Sequence, residues 1–223
     1  SITSDMPERS GFPLWHPNSV LATFQQGGTI YEKVADGSPQ RDALLEGTVI
    51  PTSWSPDGEK LAVFDRRSDI WILSRDGQYR PFLDGPNNER SGRFSPDGSA
   101  FAYVSDEAGG EFQVYVTPYP GPGRRIPVSI DGGLSPIWSA DGDQLYFRQG
   151  SKVMAASITL EPEIDVATPV ELFDGPYTVD LSGHQRYAGA PDGRFLMVEN
   201  SEDFRVVVVE GFFAELNRLV STD

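Results

Sequence analysis

Almost every side chain able to do chemistry in these 223 residues is a carboxylate: 33 Asp and Glu stand beside two histidines, His16 and His184, and no cysteine. Two imidazoles cannot make a three-histidine metal centre, and without cysteine there is neither a thiolate site nor a disulfide. No G-x-S-x-G elbow or H-E-x-x-H helix is written in the chain. "GPGRRI" (121–126) holds a G-x-G with no helix behind it, and "DGD" (141–143) opens like a calcium loop without the rest of the frame. Paired carboxylates remain. Glycoside cleavage needs two of them facing across a sugar, about 5–9.5 Å apart, so a glycan-active hydrolase or lyase is the enzymatic alternative. Against it, Asp36, Asp76, Asp97, Asp131 and Asp174 are each followed by glycine, the signature of a turn.

The elements that must position these groups come from a phrase written four times. It reads "WSPDGEKLAVF" (54–64), "FSPDGSAFAYV" (94–104), "WSADGDQLYF" (138–147) and "GAPDGRFLMV" (189–198). The turn pairs are Asp57–Gly58, Asp97–Gly98, Asp141–Gly142 and Asp192–Gly193, spaced by 40, 44 and 51 residues. An eroded copy, "LWHPNSVLATF" (14–24), precedes them with Trp15 in the place of Trp54 and His16 in the place of the serine. Proline sets the turn entry, aspartate bonds its own backbone and glycine supplies positive φ, which together make a tight link between antiparallel strands. β-rich segments follow each turn, giving four short strands per unit of about 45 residues, the period of a propeller blade. The aromatics Trp15, Trp54, Phe94 and Trp138 are expected to wedge between neighbouring blades.

Residues 1–210 are thus expected to form an all-β, five-bladed β-propeller of four-stranded antiparallel blades, at about 10–50, 51–89, 90–133, 134–175 and 176–210. Ser1 to about residue 5 is expected to close the ring against the Arg205–Val209 strand. "GFFAELNRLV" (211–220) reads as a short C-terminal helix within a tail ending at 223.

The net charge of −15 argues against nucleic acid as a partner. No apolar run reaches the roughly 20 residues of a membrane span. The chain begins at Ser1 with no signal-peptide pattern, as a processed product or part of something longer would.

The repeated Pro-Asp-Gly phrase resembles the TolB-type propeller repeat, a relative of WD repeats. "YVSDEAGGEFQVYVTPYPGPG" (103–123) and "FFAELNRLV" (212–220) are more specifically similar to the C-terminal propellers of bacterial membrane-tethered Ser/Thr kinases and winged-helix regulators. The resemblance implies a non-catalytic protein-interaction or sensory scaffold on the periplasmic or extracellular side of the envelope. Its partners would be proteins, it needs no cofactor or metal, and its central channel has room for a small ligand. The partner loops are expected on one face, through Arg66, Arg67, Asn87, Asn88, Glu89, Arg90, Asp106, Glu107, Tyr177 and His184. The 174–184 loop is taken to account for the 51-residue spacing.

Overall fold

The computed structural model describes residues 10–121, 123–179, 185–199 and 205–210. Blade 1 holds β1 (Ser10–Trp15), β2 (Leu21–Gln26), β3 (Thr29–Val34) and β4 (Asp42–Glu46). Blade 2 holds β5 (Ile50–Trp54), β6 (Lys60–Phe64), β7 (Ile70–Ser74) and β8 (Tyr79–Leu83). Blade 3 follows with β9 (Glu89–Phe94), β10 (Ala100–Ser105), β11 (Gln113–Pro118) and β12 (Ile126–Pro127). Blade 4 holds β13 (Leu134–Trp138), β14 (Gln144–Gln149), β15 (Lys152–Thr159), β16 (Asp165–Val166) and β17 (Val170–Phe173). Blade 5 shows β18 (Tyr187–Gly189), β19 (Phe195–Glu199) and β20 (Arg205–Val209). Each blade is an antiparallel meander in chain order, save that in blade 4 both β16 and β17 pair with β15, and together they form the all-β five-bladed propeller expected. The closing segment 1–5 and the 211–223 helix lie outside the described residues.

The repeated phrase folds as its chemistry requires. In blade 2, Asp57 Oδ1 accepts from Ser55 Oγ at 2.5 Å and from Glu59 N at 3.0 Å, and Gly58 N donates to Ser55 O at 2.8 Å with φ +74° at Gly58. Asp97 repeats the pattern with Ser95 and Ser99. The phrase's serine also accepts from the first amide of the next strand: Ser55 Oγ from Lys60 N, Ser95 Oγ from Ala100 N and Ser139 Oγ from Gln144 N. These turns therefore cap themselves.

The core is divided between blades. Trp54, Ile30, Leu61 and Val63 fill the join of blades 1 and 2. Phe64, Ile70, Phe94, Phe101 and Tyr103 fill the next. Val104, Val114, Leu145 and Phe147 join blades 3 and 4, and Tyr146, Phe173, Tyr187 and Phe195 join blades 4 and 5. No blade buries its faces alone, which is why the phrase must recur. Trp54 and Trp138 wedge as expected and donate Nε1 to the preceding blade, at Thr23 Oγ1 (2.9 Å) and Arg93 O (3.2 Å). Trp15 does not: it is 60% exposed. Leu196, Val206 and Val208 of blade 5 are exposed as well.

The 51-residue spacing also has a second source. The connection from β15 to β17 takes in residues 160–169 and adds β16 at the blade's edge, so the 174–184 loop does not account for the extra length alone.

Candidate functional site

Three of the predicted loops meet at one end of the channel, beside blades 2 and 3. Their hub is Ser68, buried and held at φ +64°, a left-handed backbone that a serine adopts only under local constraint. Asp65 supplies the constraint: its Oδ1 accepts from Arg67 N at 2.8 Å and Asp69 N at 3.1 Å. Ser68 O then accepts from Glu89 N at 2.5 Å, and Ser68 Oγ accepts from Arg90 Nε at 3.0 Å. Asn88 donates its backbone and side-chain N–H groups to the two oxygens of Asp106. Those bonds hold the Asp106 carboxyl below the usual carboxylate range. Glu107 closes the rim through an ion pair with Arg125. Loops at 65–69, 84–90 and 105–111 thus behave as one bonded unit on a rigid scaffold.

Glu89 lies at the centre of this unit, fully buried at the start of β9. One carboxyl oxygen has Ser105 Oγ 3.5 Å away and the other has no hydrogen-bond partner. Burial pushes its pKa up to about 7; Arg125 pulls the other way, and Asp69, Glu107 and Asp106 add to the rise. The group is therefore a buried acid that exchanges its proton near neutrality. Tyr103 stacks on Tyr115 nearby, with its hydroxyl buried and without a partner.

The remaining predicted residues lie on the flank of this unit, apart from it, or outside the described residues. Arg66 and Arg67 are exposed and line an open cavity of about 420 Å³ with Trp71 and Tyr79. Asn87 is half-buried in the β8–β9 loop. Tyr177 packs edge-on against Phe173 of blade 4 with the Arg148 guanidinium over its ring, and no described contact joins it to the Ser68 unit. His184 lies outside the described residues. His16 acts as a turn residue: Nδ1 accepts from Asn18 N, Nε2 lies 3.1 Å from Gly58 O, and the ring meets Trp54 edge-on. Among the described residues no group of three His, Cys, Asp or Glu is placed to hold a metal ion, and no helix is long and apolar enough to cross a membrane.

Sequence reasoning expected a central channel but missed the bulged inner strands and the part played by Arg93. Four inner strands carry a register irregularity just before the aromatic, in β1, β5, β9 and β13. Phe12, Ser91 and Ser135 adopt positive φ there. Such bulges turn carbonyls out of the ladder, and side chains cap two of them. Arg93 Nη1 donates to Thr52 O, and Tyr187 Oη donates to Ser135 O at 2.8 Å. The available signal was a charged residue immediately before the wedge aromatic, in "RSGRF" (90–94).

No family model matches the chain. A Bacillus subtilis protein named the uncharacterized peptidase YuxL is 30% identical over 158 residues, which is 64% of this chain and 24% of that protein. This chain therefore spans about a quarter of the relative's length. Among solved structures, the protein assigned as TolB in Agrobacterium tumefaciens superposes with a TM-score of 0.72 at 19% identity, covering 93% of this chain and 79% of that one. XC5397 of Xanthomonas campestris, a gluconolactonase, superposes with a TM-score of 0.67 at 16% identity over 92% and 74%. The relative's name and the gluconolactonase correct the expectation that the chain has no enzymatic role. A propeller scaffold is compatible with catalysis, and missing nucleophile motifs in one stretch do not decide the matter. The fold is that of a TolB-like β-propeller.

Proposed function

We propose that this propeller holds an extended peptide or protein segment on the rim built by residues 65–69, 84–90 and 105–111, as the binding part of a larger protein that acts on peptides. The carrying observation is that Ser68 and Asp106 tie three separate loops into one pre-formed surface, so little ordering cost is left for binding. The relative named as a peptidase supports the class of ligand. A larger envelope protein, including a membrane-tethered kinase or winged-helix regulator, would carry such a propeller in the same way, on the periplasmic or extracellular side.

The test is selection from a random-peptide display library on the 223-residue chain, followed by affinity measurement on Asp106→Ala and Asn88→Ala. Peptides that bind the parent chain and lose about tenfold or more on both variants support the reading. Selected peptides that bind the variants unchanged, or a selection that yields no binder, contradict it.

A further inference from the structure

At the opposite end of the channel, on the side of the β1–β2 turn, a cavity of about 480 Å³ is lined by Leu14, Trp15, His16, Ser53, Trp54, Arg93 and Gln185, among others. We infer that this cavity is a binding site for a ligand bearing one carboxylate, with Arg93 as its charge partner and Trp15 as the surface against which the ligand body lies.

Arg93 carries the inference. In a chain with 33 carboxylates and 18 Lys and Arg, this half-buried arginine has no carboxylate partner among the described residues. Its terminal nitrogens lean on neutral oxygens: Nη1 on the Thr52 carbonyl, and Nη2 on Gln185 Oε1 at 3.0 Å. Its Nε has no acceptor at all, and neither has the Nε2 of Gln185. Arg75, by comparison, pairs both terminal nitrogens with Glu32, at 2.8 and 2.9 Å. Burial draws the Arg93 pKa down to about 10, and the one group that offsets this is the Tyr187 hydroxyl. A buried cation without an anion is costly unless a ligand supplies one.

The stoichiometry of charge selects the ligand. One guanidinium neutralises one carboxylate with matching planar geometry. A dianionic phosphate would leave surplus negative charge in a chain already at −15. Gln185 fits the exchange: an entering carboxylate replaces its Oε1 as the acceptor of Nη2, and the amide turns to donate Nε2 to the same ligand. Trp15 is 60% exposed on the cavity wall, whereas Trp54 of blade 2 is buried and Trp138 of blade 4 half-buried, so Trp15 offers a free aromatic face.

A carboxylate of this kind comes from a peptide C-terminus or from a small acid such as a sugar acid, and the probes separate the two. Binding of N-acetyl-trialanine, its C-terminal carboxamide and gluconate is measured on the full chain by calorimetry and by tryptophan fluorescence. The expected result is that at least one carboxylate probe binds and the carboxamide does not. Arg93→Gln is expected to weaken that binding about tenfold or more with the fold retained by circular dichroism. Preference for the acetylated peptide identifies a chain terminus, and preference for gluconate a small acid. Equal binding of acid and carboxamide overturns the inference, as does unchanged binding by Arg93→Gln or no binding of either acid at 10 mM or so, about the weakest affinity of interest here. If Arg93→Gln does not fold, the acid-against-carboxamide comparison on the parent chain decides alone. The site involves none of the Ser68 unit, so its failure leaves the peptide-rim reading standing, and the reverse.

Discussion

The imidazole of His16 in blade 1 occupies the space that a side chain on Gly58 of blade 2 would need: a Cβ built on Gly58 would come within 2.4 Å of both Cε1 and Nε2. The same ring lies 3.1 Å from the Gly58 carbonyl. The turn that recurs in every well-formed copy is therefore also part of a joint between two blades. Gly58 answers two demands, a φ of +74° and the close approach of a neighbour.

Gly58→Ala should accordingly cost more than an ordinary turn glycine, about 2–4 kcal/mol in urea unfolding. Gly77 is the control, with φ +84° and no atom within 4 Å of its built Cβ. Gly77→Ala should cost only about 1 kcal/mol. Equal losses at the two positions would show that the His16 contact contributes nothing.

Glu89 makes stability depend on pH in an unusual direction. Its pKa is raised from 4.5 to about 7 in the folded chain, so between those values the native state keeps a proton that the unfolded state releases. Stability contributed by this group is complete below pH 4.5, falls as pH rises through the window, and is flat above pH 7 or so. The full loss is on the order of 3 kcal/mol. Glu89→Gln should remove that slope, so that the variant gains on the parent as pH rises from 5 to about 8. Parallel melting-temperature profiles for the two proteins across that range would contradict the assignment.

The aromatic wedges should divide by position. Trp54 is buried and bonded to Thr23 across a blade join, and Trp54→Ala should cost about 3–5 kcal/mol. Trp15 holds the same place in its own copy yet is exposed, and Trp15→Ala should change stability by less than about 1 kcal/mol. Chemical denaturation of both variants checks this, and a large loss at Trp15 would mean that it packs at a join after all.

Much of the fold was legible because its determinants are local. Each Ser-Pro-Asp-Gly turn is closed by bonds spanning two to five residues, such as Asp57 with Ser55 and Ser55 with Lys60, and local chemistry can be read from a string. The rim was legible in part for the same reason: the Asp65 turn presents Ser68 by short-range bonds. What joins the loops is not local. Ser68 meets Arg90 only after blades 2 and 3 have stacked, and Asn88 meets Asp106 only after β9 has paired with β10. The Arg93 site was hidden, since Arg93 meets Thr52 and Gln185 across separations of 41 and 92 residues. Trp15 was misplaced because a wedge needs a blade before it, and blade 1 has none before it in the described chain.

The most direct test of the peptide-holding rim is hydrogen–deuterium exchange on the 223-residue chain with and without a peptide selected from the display library. Binding should slow exchange in segments 65–69, 84–90 and 105–111 together, because Ser68 and Asp106 couple them, and leave the β15–β17 connection unchanged. Protection confined to other segments, with those three loops exchanging as fast as in the free chain, would contradict the assignment of the rim.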